Sequence, residues 1–349
     1  MKKLFVSVLA IAGLVACNTD EVVREKLNDA ISFDTFVENA TRADNVSTTA
    51  ATLDEFSVWA YMTNETGIVF NDELVRKNDD ASWSYSNTQY WLPGNAYSFA
   101  AFAGDRKDVE GLPVDAAMAG DGLGTITFTN VEGANDILYA QNYVESAVAN
   151  QAPVLFQFDH LLSKVRFTFA NGFANDNNTI TVLNIAMTSA EKATLDLSTE
   201  SFAFDADAAY AWENHQGTKT LYFGNMGNGD KLGIGKKEIS DEDRLVIPAG
   251  EDYEYVVTFT VEVYNGAVRG LTKDMTVTMS GLELVAGHAY NFVATINQEN
   301  LHLNAIEFQV EVDKWVEHEY NLGAVQETVK FVGSVEYLQA VLDATEGLK

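Results

Sequence analysis

The chain has 349 residues, of which 47% are hydrophobic, and this length favours two domains with sizeable cores. Its 51 acidic and 22 basic residues give a net charge of −29, a field that repels phosphate backbones and so excludes nucleic acid as a partner. Cys17 is the only cysteine, so the chain beyond it has no disulfide bonds, thiolate metal ligands or cysteine nucleophiles.

The first sixteen residues predict a signal peptide. Lys2 and Lys3 precede an apolar run, residues 4–16, that is too short to cross a bilayer as a helix. Small residues directly before Cys17 resemble the lipobox of bacterial lipoproteins, in which the cysteine is acylated and becomes the mature N-terminus. We therefore expect Cys17 to hold the protein to outer-membrane lipid through its acyl chains. The alternative is an ordinary signal peptide with an incidental cysteine.

Residues 17–53 predict a polar tether that contains one strand. The strand spans residues 31–37, where four residues alternate with Ser32, Asp34 and Phe36: Ile31, Phe33, Thr35 and Val37. Arg42 and Ala43 follow in a stretch of small and polar residues, and segments of this composition are preferred sites of proteolysis.

Beyond the tether the pattern is almost wholly that of β-strands. Apolar and β-branched runs recur about every ten residues with turn residues between them, which predicts an all-β fold of tandem sandwiches. The runs lie at residues 56–62, 96–103, 125–129, 154–158, 164–169, 179–187, 253–264, 275–279, 289–296 and 306–312. We place the domain boundary near His160, so that residues 54–160 and 161–322 each form one β-sandwich.

Residues 323–349 predict a C-terminal extension. Residues 328–332 predict a strand, and Ser334 can cap a short helix with four apolar residues on one face: Val335, Leu338, Val341 and Leu342. Such a short helix needs a packing partner. Either it docks on the second sandwich or it begins a further domain.

The sequence gives no positive sign of catalysis, and we predict neither an enzyme nor a cofactor. The five histidines lie far apart (His160, His215, His288, His302 and His318), and no nucleophile elbow or phosphate loop is present. The glycine-rich residues 227–235 indicate a long hairpin loop.

Two weaker sites remain open as alternatives. Asp205, Asp207 and residues 241–243 could bind calcium, although solvated acidic turns are the preferred interpretation. Four aromatic residues could form a sugar-stacking platform, although the alternation of the first two favours partial burial in the core: Trp83, Tyr85, Tyr90 and Trp91.

Taken together, short segments across residues 17–322 resemble the fimbrillin family of Bacteroidetes pilin lipoproteins. In order they are Ile-Ser-Phe at 31–33, Thr-Arg-Ala at 41–43, Phe-Ser-Val-Trp-Ala-Tyr at 56–61, Trp-Ser-Tyr at 83–85, Tyr-Trp-Leu-Pro at 90–93, Tyr-Ser-Phe-Ala-Ala at 97–101, Asp-Ile-Leu-Tyr-Ala at 136–140, Phe-Asp-His-Leu-Leu-Ser-Lys-Val at 158–165 and Val-Asp-Lys-Trp at 312–315. The acidic pair Asp20 and Glu21, soon after Cys17, also resembles the surface-export signal of such lipoproteins.

The resemblance implies two transthyretin-like β-sandwich domains and proteolytic processing between Arg42 and Ala43. Processing there would remove the strand at residues 31–37 and leave an unpaired sheet edge, which recruits a strand from another pilin subunit. In the family a C-terminal segment of the neighbouring subunit is this donor strand. We therefore expect a cell-surface fimbrial or adhesin subunit assembled by donor-strand exchange, with an adhesion target that the sequence does not indicate.

The helical spacing of residues 335–342 departs from the extended strand expected of a stalk subunit. It favours an accessory or tip subunit over a stalk subunit. The alternative function is a surface glycan-binding lipoprotein of a nutrient-uptake system.

Overall fold

The computed structural model describes residues 30–37, 46–49, 51–62, 67–113, 122–148, 151–175, 177–198, 210–303, 306–314 and 328–330, and all structural statements below concern these residues. Their regular secondary structure is almost entirely β-strand, so the prediction of an all-β fold is confirmed. The signal peptide predicted for residues 1–16 and the helix predicted from residue 335 lie outside the described residues.

The strands in chain order are β1 (Phe33–Val37), β2 (Glu55–Met62), β3 (Gly67–Lys77), β4 (Trp83–Ser84), β5 (Tyr97–Ala103), β6 (Val109–Glu110), β7 (Gly122–Thr129), β8 (Leu138–Val144), β9 (Val154–His160), β10 (Ser163–Asn171), β11 (Asn178–Ser189), β12 (Lys192–Ser198), β13 (Trp212–Gln216), β14 (Lys219–Gly224), β15 (Lys237–Ile239), β16 (Arg244–Val246), β17 (Tyr255–Asn265), β18 (Val268–Met279), β19 (His288–Ile296), β20 (Phe308–Lys314) and β21 (Thr328–Lys330). One short helix, α1 (Gln298–Leu303), lies between β19 and β20.

The first sandwich is built on a seven-stranded sheet with the order β1-β9-β8-β5-β2-β3-β4. The sheet rolls around an aromatic core. Side chains from several of its strands form this core, including Phe33, Phe56, Phe70, Phe99, Phe156 and Phe158. Burying each such side chain contributes about 1.5–3 kcal/mol, so this inner core is a main source of the sandwich's stability.

A four-stranded sheet, β13-β12-β7-β6, packs on the outer face of the rolled sheet. Trp59, Phe102 and Tyr139 face this second layer, whereas their neighbours along the same strands face the inner core. Strands β2, β5 and β8 are therefore buried on both faces. This explains why the sequence of β2 and β5 is continuously apolar and does not alternate.

The sheet that covers β2, β5 and β8 takes strands from both sides of the predicted boundary at His160. Strands β6 and β7 precede His160, whereas β12 and β13 follow it, and β12 pairs with β7 from Thr129 to Gly122. Residues 192–198 and 212–216 thus belong to the first sandwich. A division at His160 needs this correction, because strand pairing with β7 takes the chain back across that point.

The second sandwich consists of two further sheets. One has the order β15-β10-β19-β20-β21, with β16 also paired to β10, and the other has the order β14-β11-β17-β18. Their facing side chains form a separate core that includes Phe167, Phe169, Phe259, Phe292 and Phe308. Strand β21 confirms a strand within the predicted C-terminal extension, where it pairs antiparallel with β20.

The pairing across His160 predicts that a fragment of residues 30–160 does not fold by itself. Without β12 and β13 the outer-face side chains Trp59, Phe102, Phe128 and Tyr139 lose their cover, and a core opened in this way loses several kilocalories per mole for each large side chain. We expect no cooperative thermal transition for the fragment by circular dichroism. A cooperative transition at the temperature of the full chain would contradict the pairing.

Candidate functional site

The N-terminal strand predicted from alternation is β1, and its burial follows the predicted pattern. Ile31, Phe33 and Val37 are buried, whereas Ser32 and Asp34 on the other face are exposed. Strand β1 pairs in parallel with β9, from Phe33 opposite Val154 to Val37 opposite Phe158. It is thus the edge strand of the seven-stranded sheet.

The residues at the start of β1 are also bonded on their other side, to the segment that follows β4. The Ile31 amide donates to the Gln89 carbonyl at 2.8 Å, and Ala30 forms an antiparallel bridge with Tyr90. The Tyr85 hydroxyl donates to the Ile31 carbonyl at 2.6 Å. Burial raises the pKa of Tyr85 above its usual value, which keeps this hydroxyl protonated as a donor. The start of β1 therefore closes the rolled sheet.

Phe33 is the anchor of the strand. Its ring stacks on Phe156 with centroids 5.6 Å apart, and it contacts Phe70 and Tyr85, each at 5.5 Å. It also approaches Phe56 and Phe99 edge to face. We call the groove between β9 and residues 89–90, which Ile31, Phe33 and Val37 fill, the strand slot. An empty strand slot would expose aromatic rings beside an unpaired sheet edge.

The chain is held again a few residues after β1. The Thr48 amide donates to Asp136 Oδ2 at 2.6 Å, and Val46 is buried in the core between the two layers of the first sandwich. Asp136 in turn forms a buried hydrogen bond with the His160 ring, with Nδ1 and Oδ2 3.0 Å apart. Lys164 Nζ donates to Ser47 Oγ at 3.3 Å. Residues 46–49 are therefore fixed independently of β1.

The predicted processing site, Arg42 and Ala43, and the predicted acylation site, Cys17, lie outside the described residues. The structure does describe both flanks of Arg42 and Ala43. Val37 lies opposite Phe158, near the end of β9 that leads into the second sandwich, and Thr48 is bound to Asp136, just before β8. Residues 38–45 thus connect two fixed points.

The four aromatic residues considered as a sugar platform are mostly core residues. Trp83 packs edge to face on Phe56 at 4.9 Å, Tyr85 packs on Phe33, and Trp91 packs on Tyr97 at 4.8 Å. Tyr90 alone among the four is exposed, at 42%. The prediction that Trp83 and Tyr85 lie partly in the core is confirmed.

Each carboxylate of residues 241–243 has its own hydrogen-bond or ion-pair partners within the protein. Asp241 accepts from the backbone amides of Asn225 and Asn228. Asp243 accepts two hydrogen bonds from Arg166, at 2.6 and 2.5 Å. Glu242 pairs with Arg244. These carboxylates stabilise a turn, and Asp205 and Asp207 lie outside the described residues.

The described residues contain no group of three or more histidine, cysteine, aspartate or glutamate side chains placed to hold a metal ion. Nor do they contain a helix that is long and apolar enough to cross a membrane.

Sequence reasoning missed the pairing of Asp136 with His160. In the sequence, Asp136 belongs to the segment at 136–140 that resembles fimbrillins, and His160 is one of five widely separated histidines. Their separation of 24 residues is not a recognisable spacing. One signal was available. Each residue lies at the end of an apolar strand, β8 or β9, that is next to the second sandwich, and a polar side chain that is buried there needs a partner.

The chain resembles known proteins in sequence and in structure. A family model described as fimbrillin-like matches residues 41–315. Among solved structures, a fimbrial protein from Bacteroides vulgatus is similar at 15% identity, with 82% of this chain and 99% of that chain covered and a TM-score of 0.50. A fimbrial assembly protein from Parabacteroides distasonis is similar at 11% identity, with 82% and 97% covered and a TM-score of 0.40. No curated protein matches the chain.

The strand slot predicts a large difference between two phenylalanines of β1. We expect Phe33→Ala to lower the free energy of unfolding by about 3–5 kcal/mol, because it leaves a cavity among five aromatic rings. Phe36→Ala is the matched control: Phe36 is 39% exposed on the outer face, and its loss should cost less than about 1 kcal/mol. Denaturant unfolding of the unprocessed chain measures both, and equal effects would contradict the packing of Phe33.

Proposed function

The chain belongs to the fimbrillin-like family, and on this premise we propose that it is a cell-surface fimbrial or adhesin subunit whose strand slot accepts a donor strand after proteolytic removal of β1. Family membership makes it a fimbrial, cell-adhesion protein and implies a location at the cell surface. It is a family of fimbrial proteins and not of enzymes. The proposal concerns how the chain assembles.

The observation that carries the proposal is that two separate anchors, β1 and residues 46–49, lie on either side of Arg42 in the chain. Ile31, Phe33 and Val37 fill the strand slot, and residues 46–49 are bound separately at Asp136. A cut after Arg42 would leave the second anchor in place and release only the first. The protein would then keep its fold while it opens one slot.

The open slot would present two features that a donor strand needs. One is the free edge of β9, whose Val154 amide donates to the Ser32 carbonyl at 2.8 Å while β1 is in place. The other is a row of pockets at alternate positions, left by Ile31, Phe33 and Val37. An extended segment with apolar residues at every second position would fill both. Its backbone would hydrogen-bond to β9 and provide affinity, and its apolar side chains would enter the pockets and set the register.

We further propose that Cys17 is acylated and anchors the unprocessed chain to the outer membrane. The helical spacing of residues 335–342 supports an accessory or tip position over a stalk position, since a helix is not a donor strand. The glycan-binding alternative gains no support from the described residues, because three of the four aromatic residues that suggested it are engaged in the core.

We expect limited trypsin treatment of the full chain to cut first after Arg42 and to give a new N-terminus at Ala43. A chain that begins at Ala43 lacks three buried apolar side chains, so its free energy of unfolding should fall by about 5 kcal/mol or more. The melting temperature should fall by about 10 °C or more. A synthetic peptide of residues 30–37 should bind the shortened chain and restore stability.

Two matched controls accompany this experiment. Arg42→Gln should resist the first cut, and a peptide with Phe33→Asp should not restore stability because it would bury a charge among aromatic rings. An unchanged melting temperature in the chain from Ala43, together with no binding of the peptide, would contradict strand exchange.

The anchor is tested separately. Cys17→Ala should abolish labelling by a fatty-acid probe and move the protein out of the outer-membrane fraction, whereas Cys17 with its native neighbours should be labelled. Unchanged labelling and fractionation of the variant would contradict the lipoprotein assignment.

A further inference from the structure

Exposed apolar side chains of the first sandwich concentrate at one of its ends. Before His160, eight large hydrophobic side chains of the described residues are exposed, and six of them lie at the end of the rolled sheet remote from the second sandwich. We call these six the distal rim: Ile68, Tyr90, Leu92, Tyr143, Val148 and Leu155.

The pairing of the strands places the distal rim at the end of the sheet that is remote from the second sandwich. Ile68 pairs with Tyr61, Tyr61 with Ser98 and Ser98 with Tyr143, so these residues form one row across four strands. Leu155 is the second residue of β9. The opposite ends of the same strands, Leu138 of β8 and His160 of β9, pair with each other where the chain enters the second sandwich.

Two loops complete the rim. Leu92 and Val148 are exposed at 50% and 55%. Their loops are tied together by hydrogen bonds from Gly94 N to Ala147 O and from Ala147 N to Asn95 O, both 2.8 Å long. Exposed apolar side chains that cluster on a fixed backbone are typical of protein interaction sites.

The strand slot opens at this rim. Tyr90 forms the bridge with Ala30 at the start of β1, so the strand that lies in the slot passes the rim there. At the other end, Val37 is followed by the anchored residues 46–49 and the second sandwich. A strand supplied by another molecule therefore has its open approach at the rim, and the body that carries it would lie against the rim.

We propose that the distal rim is a docking surface for the body of the adjoining subunit, the β-sandwich protein that supplies the strand in the slot. This inference rests on the proposed function. The donor strand binds the slot, and the rim makes a second, separate contact with the folded part of the same partner. The partner's contacting surface is apolar, matching the six side chains.

The test uses a double variant, Leu92→Ser with Val148→Ser, which alters the rim and leaves the slot residues unchanged. The matched control is Leu271→Ser with Val268→Ser, the same residue types exposed at 40% and 70% on β18 of the second sandwich. Each full-length variant replaces the native protein in the bacterium that makes it. Its amount in fimbriae sheared from the cells is measured relative to its total amount at the surface. In parallel, the processed proteins are titrated with the peptide of residues 30–37.

We expect the rim variant to bind the peptide within about twofold of the native protein and to enter fimbriae at least about tenfold less, because a few central apolar contacts carry most of an interface's affinity. The control variant should match the native protein in both measurements. Native-level entry of the rim variant into fimbriae, an equal loss in the control variant, or lost peptide binding by the rim variant would each overturn the rim as a separate docking surface. Absence of the native protein from fimbriae, together with no peptide binding, would instead overturn the proposed function and the rim inference with it.

Discussion

The burial of Phe33 in the rolled sheet is the interaction that closes the first sandwich and defines its strand slot. Its ring contacts residues from β3, β9 and the segment after β4, so one side chain brings the two margins of the sheet together. Strand β1 is therefore the edge strand of the seven-stranded sheet and also the strand that closes the rolled sheet. The same contacts that stabilise the unprocessed chain would leave a strongly apolar slot if β1 were removed.

The second anchor, residues 46–49, confines the effect of removing β1 to the strand slot. The Thr48 amide and the His160 ring share the Asp136 carboxylate, and Val46 packs between the two layers of the first sandwich. Val46 packs in the core between the two layers, whereas Ile31, Phe33 and Val37 pack in the inner core, so loss of β1 does not require this anchor to move. The covering sheet of β6, β7, β12 and β13 also stays in place, since it packs on the opposite face of β2, β5 and β8.

Local sequence pattern indicated many of the strands, such as β1, β2 and β5, but missed others, such as β3, β8 and β12. It did not indicate which strands pair. The alternation at residues 31–37 predicted β1, and the apolar runs at residues 56–62 and 96–103 predicted β2 and β5. Nothing local could show that β1 pairs with β9, more than 110 residues later, or that β12 returns to pair with β7. Such pairings are set by the packing of whole layers, and the boundary placed at His160 failed to allow for them. The Asp136–His160 pair was hidden for the same reason, because it joins the junction ends of β8 and β9.

The central claim is that β1 occupies a slot that another strand can fill. Amide hydrogen exchange along β9 tests it most directly, because the Val154 amide donates to the carbonyl of Ser32, the residue directly before β1. Exchange at Val154 should be slow in the chain that begins at residue 30 and much faster in the chain that begins at Ala43. It should become slow again when the peptide of residues 30–37 is added. Equal protection of β9 in all three samples would contradict the account.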